Sequence, residues 1–313
     1  MRNIEYRLLR LVVNGKSAAN PQLRDAVAHV RKQGHRLDVS VTWEEGDAAR
    51  FAADASGGDC DVIVACGGDG TVNEVVDGIV SKHDSPRAAV AVVPLGTAND
   101  FAAGCNLPLR QPQKALEIAA TGPVTPIDVG VVNDRHFINV ATGGFGAEVT
   151  SRTPPDMKQA LGGAAYTVMG IITAMTWNPH HCTLTLADGT THEGDVSVLA
   201  VGNGRQAGGG YQLCPRALLD DGLLDLMVVH GANLPSFGTV LYEMNHPDDE
   251  TNRYASYRQL DSFHIQSQSE MQLNLDGEPM RAKSFQFRVL PRRLPFVLPA
   301  GAPLKAAQRS KPS

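Results

Sequence analysis

The sequence predicts two domains, of which the first is an α/β domain with a parallel sheet and the second an antiparallel β domain. At 313 residues the chain is longer than one hydrophobic core usually serves. In the first third, apolar strand-like runs alternate with runs of helical spacing, which is typical of parallel strands covered by helices on both faces. After about residue 125, short β-rich runs separated by turn residues predominate. We therefore expect a Rossmann-like domain at 1–125, a β domain at 126–290 and a C-terminal tail at 291–313.

The elements of the first domain are predicted from hydrophobic periodicity. Strands are short apolar or alternating runs, whereas helices repeat apolar residues every three or four positions. Leu23, Val27 and Val30, for example, share one helical face, and Gly34 follows as a C-terminal cap. Predicted strands are 8–13, 37–43, 61–65 and 88–94, and predicted helices are 21–34, 47–55 and 71–80.

The second domain is predicted from strands and the turn pairs between them. The strands are 127–132, 136–141, 182–186, 196–201, 223–229 and 263–275. Asn133-Asp134, Asp188-Gly189 and Asp221-Gly222 are predicted to be hairpin turns. One helix is predicted at 157–177. Its apolar part is shorter than the roughly 20 residues that span a bilayer, so we predict no transmembrane segment.

Composition and charge exclude some classes of function. The chain is 42% hydrophobic and 19% charged, which is ordinary for a globular protein. Its net charge of −5 gives no basic field for nucleic acid, so we expect no nucleic-acid partner. The five cysteines lack metal-ligand spacing and are predicted to be reduced thiols of a cytoplasmic protein. The charged start of the chain does not look like a signal peptide.

The strongest local signal is a glycine-rich turn, Gly-Gly-Asp-Gly-Thr at 67–71, between a predicted strand and a predicted helix. Glycines let the backbone approach a ligand closely, and a helix N-terminus offers unpaired N–H groups to an anion. The turn lacks the Lys-Ser/Thr pair of a P-loop, and Asn73 stands where a dinucleotide fingerprint has its third glycine. Asp69 would repel a polyphosphate unless a divalent cation or water lies between them, so magnesium–ATP is the better prediction.

Two further turns follow strands of the same predicted sheet. The segment 95–101 carries the hydroxyl of Thr97, and Asn99 or Asp100 can cap the helix after it. The segment 14–17 places Lys16 beside a strand end. Because loops that follow parallel strands converge at the carboxyl edge of the sheet, the three turns predict one shared ligand site.

The motifs together resemble those of the diacylglycerol kinase catalytic domain, and within it the bacterial YegS-type lipid kinases. The first glycine motif alone is shared with phosphofructokinases and NAD kinases, whereas the combination is specific and covers nearly the whole chain. The other motifs are Pro-Leu-Gly-Thr-Ala-Asn-Asp-Phe at 94–101, Ala-Thr-Gly-Gly-Phe-Gly at 141–146, Gly-Asn-Gly-Arg-Gln-Ala-Gly-Gly-Gly at 202–210 and Leu-Asp-Gly-Glu-Pro at 275–279.

The resemblance implies an ATP- and Mg²⁺-dependent kinase that phosphorylates a lipid hydroxyl. It implies a nucleotide-binding domain and a β-sandwich domain, with the active site in the cleft between them and the tail partly packed on the first domain. The lipid could be diacylglycerol-, phosphatidylglycerol- or sphingoid-like. The positions that match the family's nucleotide contacts are Thr42, Gly67, Gly68, Asp69, Gly70, Thr71, Val72, Asn73 and Thr97.

The late motif carries the predicted catalytic residues, Glu278 and Asp276. The family uses the glutamate as proton acceptor, and a general base would accept a hydrogen bond from the lipid hydroxyl. Asp276 could orient Glu278 or bind magnesium. From the residues alone, a hairpin turn beside a solvated glutamate fits equally well.

A metal site is implied at a Leu-x-x-Asp-Gly-Leu pattern, which matches Leu218, Asp221 and Leu223. In the family, two backbone carbonyls and one aspartate bind the ion, and oxygen ligands suit Mg²⁺ or Ca²⁺. Without the resemblance, an acidic hairpin turn would explain the segment.

Two segments could contact the lipid. The run 202–210 could line the lipid cleft, with Arg205 near a head group, or could simply be mobile. The stretch 164–177 could line an acyl-chain channel, although packing on the sheet is the simpler interpretation.

Two rival functions share part of this pattern. One is a kinase of NAD or another soluble substrate, and the other is a nucleotide or lipid sensor without activity. The 94–101 and 275–279 motifs count against the first, and the retained Asp69, Thr97 and Glu278 count against the second. We expect a cytoplasmic protein that meets its lipid at the inner face of the membrane. The oligomeric state stays open.

Overall fold

The computed structural model describes residues 6–143, 179–231 and 234–305. The predicted helix at 157–177 and the part of the 141–146 motif that follows Gly143 lie outside these residues. The chain divides into two compact units, one up to Val129 and from Pro291 onward, the other Gly130–Leu290. The division falls a few residues after the predicted boundary because one strand, β5 (Val124–Val132), runs through it.

The first unit contains a parallel sheet with the strand order β2, β1, β3, β4. These strands are β1 (Leu8–Val13), β2 (Arg36–Val41), β3 (Val62–Gly67) and β4 (Ala89–Pro94). The last part of β15 (Glu278–Val297) lies beside β4 through a parallel pair of Phe296 and Val90. The sequence predicted a tail after Leu290, whereas the structure continues the strand to Val297.

Helices join the strands of this sheet. They are α1 (Pro21–Lys32), α2 (Asp47–Ser56), α3 (Asp69–Lys82), α4 (Asp100–Gly104) and α5 (Pro112–Thr121). The Asn20 side chain accepts hydrogen bonds from two N–H groups of the first turn of α1, and Gly34 follows the helix with a positive φ of 98°. The sequence analysis did not identify α5, and it predicted α3 two residues shorter at its start.

The core of the first unit explains the continuous apolar runs of its strands. Every residue of β3 and β4 is buried. Leu9, Val64 and Ala91 pack with Leu116 of α5 in one cluster. A central parallel strand is covered on both faces and therefore carries no alternating pattern.

The second unit is built from antiparallel strands. They are β6 (Arg135–Phe137), β7 (Val140–Gly143), β8 (His180–Leu186), β9 (Thr191–Gly202), β10 (Gln206–Ala207), β11 (Tyr211–Gln212), β12 (Leu224–His230), β13 (Ala255–Leu260) and β14 (Ser262–Leu275), with the first part of β15. β14 pairs with β15 along its length, with β7 near its end and with β8 near its start. Phe263 and Phe287 stack 4.9 Å apart in the core of this unit.

Three predictions for this unit need correction. The strand predicted at 136–141 is two strands, β6 and β7, because the N–H groups of residues 138–140 donate to the Asp276 side chain. Asp221-Gly222 is not a hairpin turn, since β12 pairs with β9 and β13 rather than with β11 before it. The unit also has a helix that was not predicted, α6 (Phe237–Asn245). No helix in the described ranges is long and apolar enough to cross a bilayer.

Candidate functional site

The glycine-rich turn at 67–71 joins the end of β3 to the start of α3. Gly68 is the N-cap residue and α3 begins at Asp69, so the unpaired N–H groups of the first helical turn belong to this motif. Thr71 and Asn73 are buried, and the Asn73 Oδ1 atom has no hydrogen-bond partner in the described part of the chain. Val72 offers no free donor, because its side chain is buried and its N–H donates to the Gly68 carbonyl.

The turn after β4 lies directly against this motif. An added Cβ on Gly96 would stand 2.4 Å from the Cα atom of Gly68, so this close approach requires glycine. Asn99 adopts a left-handed φ of 53°, and its side chain exchanges two hydrogen bonds with the Gly96 backbone. Thr97 between them is exposed, and its hydroxyl is open to a ligand.

The turns after β1 and β2 lie at the same carboxyl edge of the sheet and are linked to each other and to the glycine-rich turn by hydrogen bonds. The N–H of Gly15 donates to the Thr42 hydroxyl at 3.0 Å, and the Asn14 side-chain amide donates to the Thr71 hydroxyl at 3.1 Å. The structure therefore brings Thr42, the 67–73 motif and Thr97 together at the carboxyl ends of four parallel strands. Lys16 is exposed on the first of these turns.

Asp69 has a structural role that the sequence did not reveal. Its carboxylate accepts hydrogen bonds from the N–H groups of Asp100 at 3.2 Å and Phe101 at 3.1 Å, the first residues of α4. Burial raises the pKa of Asp69, the Phe101 N–H lowers it, and the nearby Asp100 charge raises it again. This carboxylate therefore holds the turn after β3 to the turn after β4, whether or not it also faces a cation.

We expect Asp69→Asn to weaken ATP binding by about 10-fold, with equal losses in magnesium and in chelator. An amide presents only one acceptor to two N–H donors, so the two turns should separate, at a cost of about 1–3 kcal/mol. Calorimetric titration with ATP in both conditions, with the melting temperature, measures this. Asp59→Asn, an exposed carboxylate of the same unit, is the matched control. A loss confined to the magnesium titration would instead assign Asp69 to the cation.

A cavity of about 570 Å³ opens beside these turns in the first unit. Its volume lies within the range of small-molecule sites, about 300–1,000 Å³. Thr42 and Thr71, two of the positions for which the sequence predicts a nucleotide contact, line it. Trp43 and Glu44 also line it, and no motif pattern distinguishes them from ordinary surface residues. Glu74 lines it too and follows Asn73 at the end of the glycine-rich motif.

In the second unit, Asp276 and Glu278 lie on the hairpin between β14 and β15. Asp276 and Gly277 have φ values of 51° and 107°, which is typical of a type I′ turn. The buried Asp276 carboxylate accepts hydrogen bonds from the N–H groups of Ile138, Asn139 and Val140 at 2.7–3.2 Å. Glu278 is half-buried, and its carboxylate makes no hydrogen bond within the described residues. Asp276 thus holds the hairpin to the segment before β7, and Glu278 stands at the start of β15 beside it.

The 202–210 motif packs around the same segment. The Asn203 side-chain amide donates to the Ile138 carbonyl at 2.7 Å, and the Asn139 side-chain amide donates to the Gln206 carbonyl at 2.9 Å. Arg205 donates from Nε to the Ala217 carbonyl, so its guanidinium holds the chain after β11. These contacts favour a structural role for the motif over a head-group contact by Arg205.

The predicted metal residues lie on an irregular turn before β12. The Asp221 carboxylate accepts a hydrogen bond from the Leu223 N–H at 3.1 Å. Nearby, Asp225 is fully buried; its Oδ1 accepts a hydrogen bond from Tyr257, whereas its Oδ2 has no partner in the described part of the chain. Burial raises the pKa of Asp225 to about 6, the Tyr257 hydroxyl lowers it, and the Asp221 charge raises it further.

These oxygens fit a hard cation, because an unpartnered carboxylate oxygen beside a second carboxylate is what such an ion would satisfy. No group of three or more His, Cys, Asp or Glu side chains in the described ranges is arranged to bind one ion.

Comparison with known proteins identifies the family. The family model described as "Diacylglycerol kinase catalytic domain" matches residues 8–132, and the one described as "YegS C-terminal NAD kinase beta sandwich-like domain" matches residues 139–298. A protein of Chromohalobacter salexigens named "Probable lipid kinase YegS-like" is 42% identical over 95% of this chain and 95% of its own length. One of Serratia proteamaculans with the same name is 41% identical over 96% of this chain and 97% of its own.

Solved structures agree with this. A crystal structure titled as a diacylglycerol kinase from Bacillus anthracis is 25% identical, with a TM-score of 0.74, and covers 94% of this chain and 98% of that chain. A second structure from the same organism has a TM-score of 0.80 at 24% identity, over 96% and 98% of the two chains, and shows the shared fold. The family predicted from the motifs is confirmed: the chain belongs to the diacylglycerol kinase catalytic-domain family and carries the YegS-type C-terminal domain.

Proposed function

We propose that the protein is an ATP:lipid phosphotransferase with an alcohol group as acceptor. The proposal is carried by the carboxyl ends of four parallel strands, where the turns that hold Thr42 and Thr97 meet a glycine-rich helix N-terminus. The chain also belongs to a lipid kinase family. Backbone N–H groups at such an edge can hold phosphates without a side-chain charge. We place the activity in the cytoplasm, at the inner membrane surface.

The nucleotide half of the reaction is assigned to the first unit. The first turn of α3 and the Thr97 hydroxyl would bind phosphate oxygens, and Lys16 adds a positive charge beside them. Magnesium, when bound with ATP, supplies charge neutralisation during phosphoryl transfer. The buried, unpartnered Asn73 Oδ1 supports a polar ligand at this motif.

The acceptor half is assigned to Glu278. A carboxylate that makes no hydrogen bond within the described residues can accept one from the lipid hydroxyl and take its proton as the phosphoryl group transfers. Asp276 does not bind the substrate in this proposal, because its oxygens are already bonded to three backbone N–H groups. It acts as a positioning residue. The site between the two domains stays a prediction of the family resemblance.

A cavity in the second unit supports a lipid acceptor. It measures about 470 Å³ and is lined by apolar side chains that include Leu184, Val196, Leu199 and Ile265. His192, His230 and Arg258 lie at the same cavity and could face a polar head group. Transfer of acyl chains from water into such a cavity is favourable in proportion to the apolar area removed from water. The predicted channel at 164–177 lies outside the described residues.

A second ion, Mg²⁺ or Ca²⁺, is proposed at Leu218, Asp221 and Leu223, with Asp225 beside it. We expect the melting temperature of the wild type to rise with either ion in the absence of nucleotide, because an ion that binds only the folded state stabilises it. Asp221→Ala should lose this rise. Asp220→Ala, a carboxylate of the same turn, should keep it. If the ion raised the melting temperatures of the wild type and Asp221→Ala equally, the segment would be an acidic turn without a bound ion.

One assay separates the proposal from its rivals. The pure protein is incubated with labelled magnesium–ATP, with and without micelles of a total lipid extract, and the organic phase is analysed for label. We expect label in the organic phase only with lipid. A soluble-substrate kinase would consume ATP with its own acceptor and ignore the micelles, and a sensor would consume none. The labelled species also identifies the lipid.

A further inference from the structure

Trp43 is the most exposed large apolar side chain of the described residues, at 95% of its surface, against 62% for Tyr6, the next. Single exposed apolar residues are common and by themselves need no explanation. Trp43 differs because it lines the 570 Å³ cavity of the first unit together with Thr42 and Thr71. An indole ring at the edge of a polar cavity offers a flat apolar face that a ligand could cover.

The backbone that carries this ring is fixed. The N–H groups of Trp43 and Glu44 both donate to Oδ2 of Asp47, at 2.7 and 3.2 Å. The other oxygen of Asp47 accepts from Arg50, and Asp47 itself is buried. These bonds lower the pKa of Asp47, the Trp43 N–H first and the Arg50 side chain next, so the carboxylate is ionised at neutral pH. The ring is therefore presented on a rigid turn, which reduces the ordering cost of binding.

The charges around the cavity are divided. Glu44 and Glu45, which follow Trp43 in the chain, line it together with Glu74 of α3, and Lys16 is its positive side chain. The two carboxylates next to Trp43 would repel a polyphosphate from this end, whereas the α3 N-terminus attracts it. Carboxylates do accept hydrogen bonds from ribose hydroxyls and exocyclic amines. The end of the cavity with Trp43 therefore suits the uncharged nucleoside part of a nucleotide.

We propose that Trp43 is the stacking platform for the base of the nucleotide, with the neighbouring glutamates facing its ribose or amino group. The inference rests on the proposed function, since it needs a nucleotide at this edge of the sheet. Every base has a π-face, so an aromatic platform supplies affinity with little base specificity. An exposed tryptophan could alternatively enter a membrane, but Glu44 and Glu45 beside it would be repelled by an anionic leaflet.

The test compares ATP with inorganic tripolyphosphate, which lacks base and ribose. By calorimetry, Trp43→Ala should weaken ATP binding about 5- to 150-fold, the range for loss of one base–aromatic stack, and leave tripolyphosphate binding unchanged. Trp43→Phe should keep most of the ATP affinity. It should also lose the ATP-dependent quenching of tryptophan fluorescence, because the indole that ATP would cover is gone. The other tryptophan, Trp177, is present in both the wild type and this variant and serves as the reference.

The outcomes are distinct. If the wild type binds ATP and Trp43→Ala binds it equally well, the stacking role fails and the kinase proposal stands. If the wild type binds no ATP, both fail. Equal losses for ATP and tripolyphosphate would indicate a damaged turn and overturn the inference. Loss of sedimentation with phosphatidylglycerol vesicles at unchanged ATP affinity would assign the ring to the membrane instead.

Discussion

Replacing Glu278 with glutamine should lower the rate of lipid phosphorylation by about 10²- to 10⁴-fold, the usual contribution of a general base. The amide keeps the size of the side chain but cannot take the proton of the lipid hydroxyl. Because Glu278 makes no hydrogen bond within the described residues, the substitution should leave the melting temperature and the ATP affinity nearly unchanged. The measurement is single-turnover transfer of label from ATP to the lipid identified in the extract assay.

Glu270→Gln is the matched control, because Glu270 is an exposed carboxylate on the same hairpin, on β14. It should retain wild-type turnover. Turnover of Glu278→Gln above half of wild type would remove Glu278 from the role of base.

The strands of the first domain could be predicted to within two residues at each end. Leu8–Val13 is a strand over the bounds predicted for it, and Ala89–Pro94 differs by one residue. Buried parallel strands require unbroken apolar runs, and the glycine and proline residues that end them mark the ligand edge. Local sequence is sufficient for β3 and β4 because these strands are buried along their whole length.

The roles of the motif aspartates could not be predicted in this way. The bonds of Asp69 reach 31 and 32 residues along the chain, and those of Asp276 reach 136 to 138. Such partners depend on the folded arrangement and leave no local periodicity. The sequence analysis assigned Asp69 to a cation and left Asp276 either to orient Glu278 or to bind magnesium, whereas the structure shows both carboxylates bound to backbone N–H groups.

One physical reason accounts for Asp47, Asp69 and Asp276 together. Each aspartate accepts hydrogen bonds from backbone N–H groups that lack a partner within a strand or a helix. A charged acceptor makes such hydrogen bonds stronger than a neutral one does. Aspartate is short and presents two oxygens, so it can bind consecutive N–H groups. The turns that carry the candidate site residues are thus held in place by aspartate carboxylates.

Asp276→Ala should lower the free energy of unfolding by about 2–5 kcal/mol, because it leaves the N–H groups of Ile138, Asn139 and Val140 buried without acceptors. Denaturant unfolding followed by circular dichroism measures the change. Activity should fall as well, because the hairpin that carries Glu278 would no longer be fixed by the hydrogen bonds of Asp276. Asp276→Asn, which keeps one acceptor oxygen, should fall between alanine and wild type in both measurements.

Asn274→Ala is the control for the hairpin itself. Its side chain accepts one exposed hydrogen bond, from the Gly277 N–H at 2.8 Å, and its loss should cost only about 0.5–1.5 kcal/mol. If Asp276→Ala were no less stable than Asn274→Ala yet inactive, the carboxylate would touch the reacting groups directly. A positioning residue requires a large loss of stability in Asp276→Ala, a smaller loss in Asp276→Asn, and activity that falls in the same order, because both effects come from the same three N–H groups.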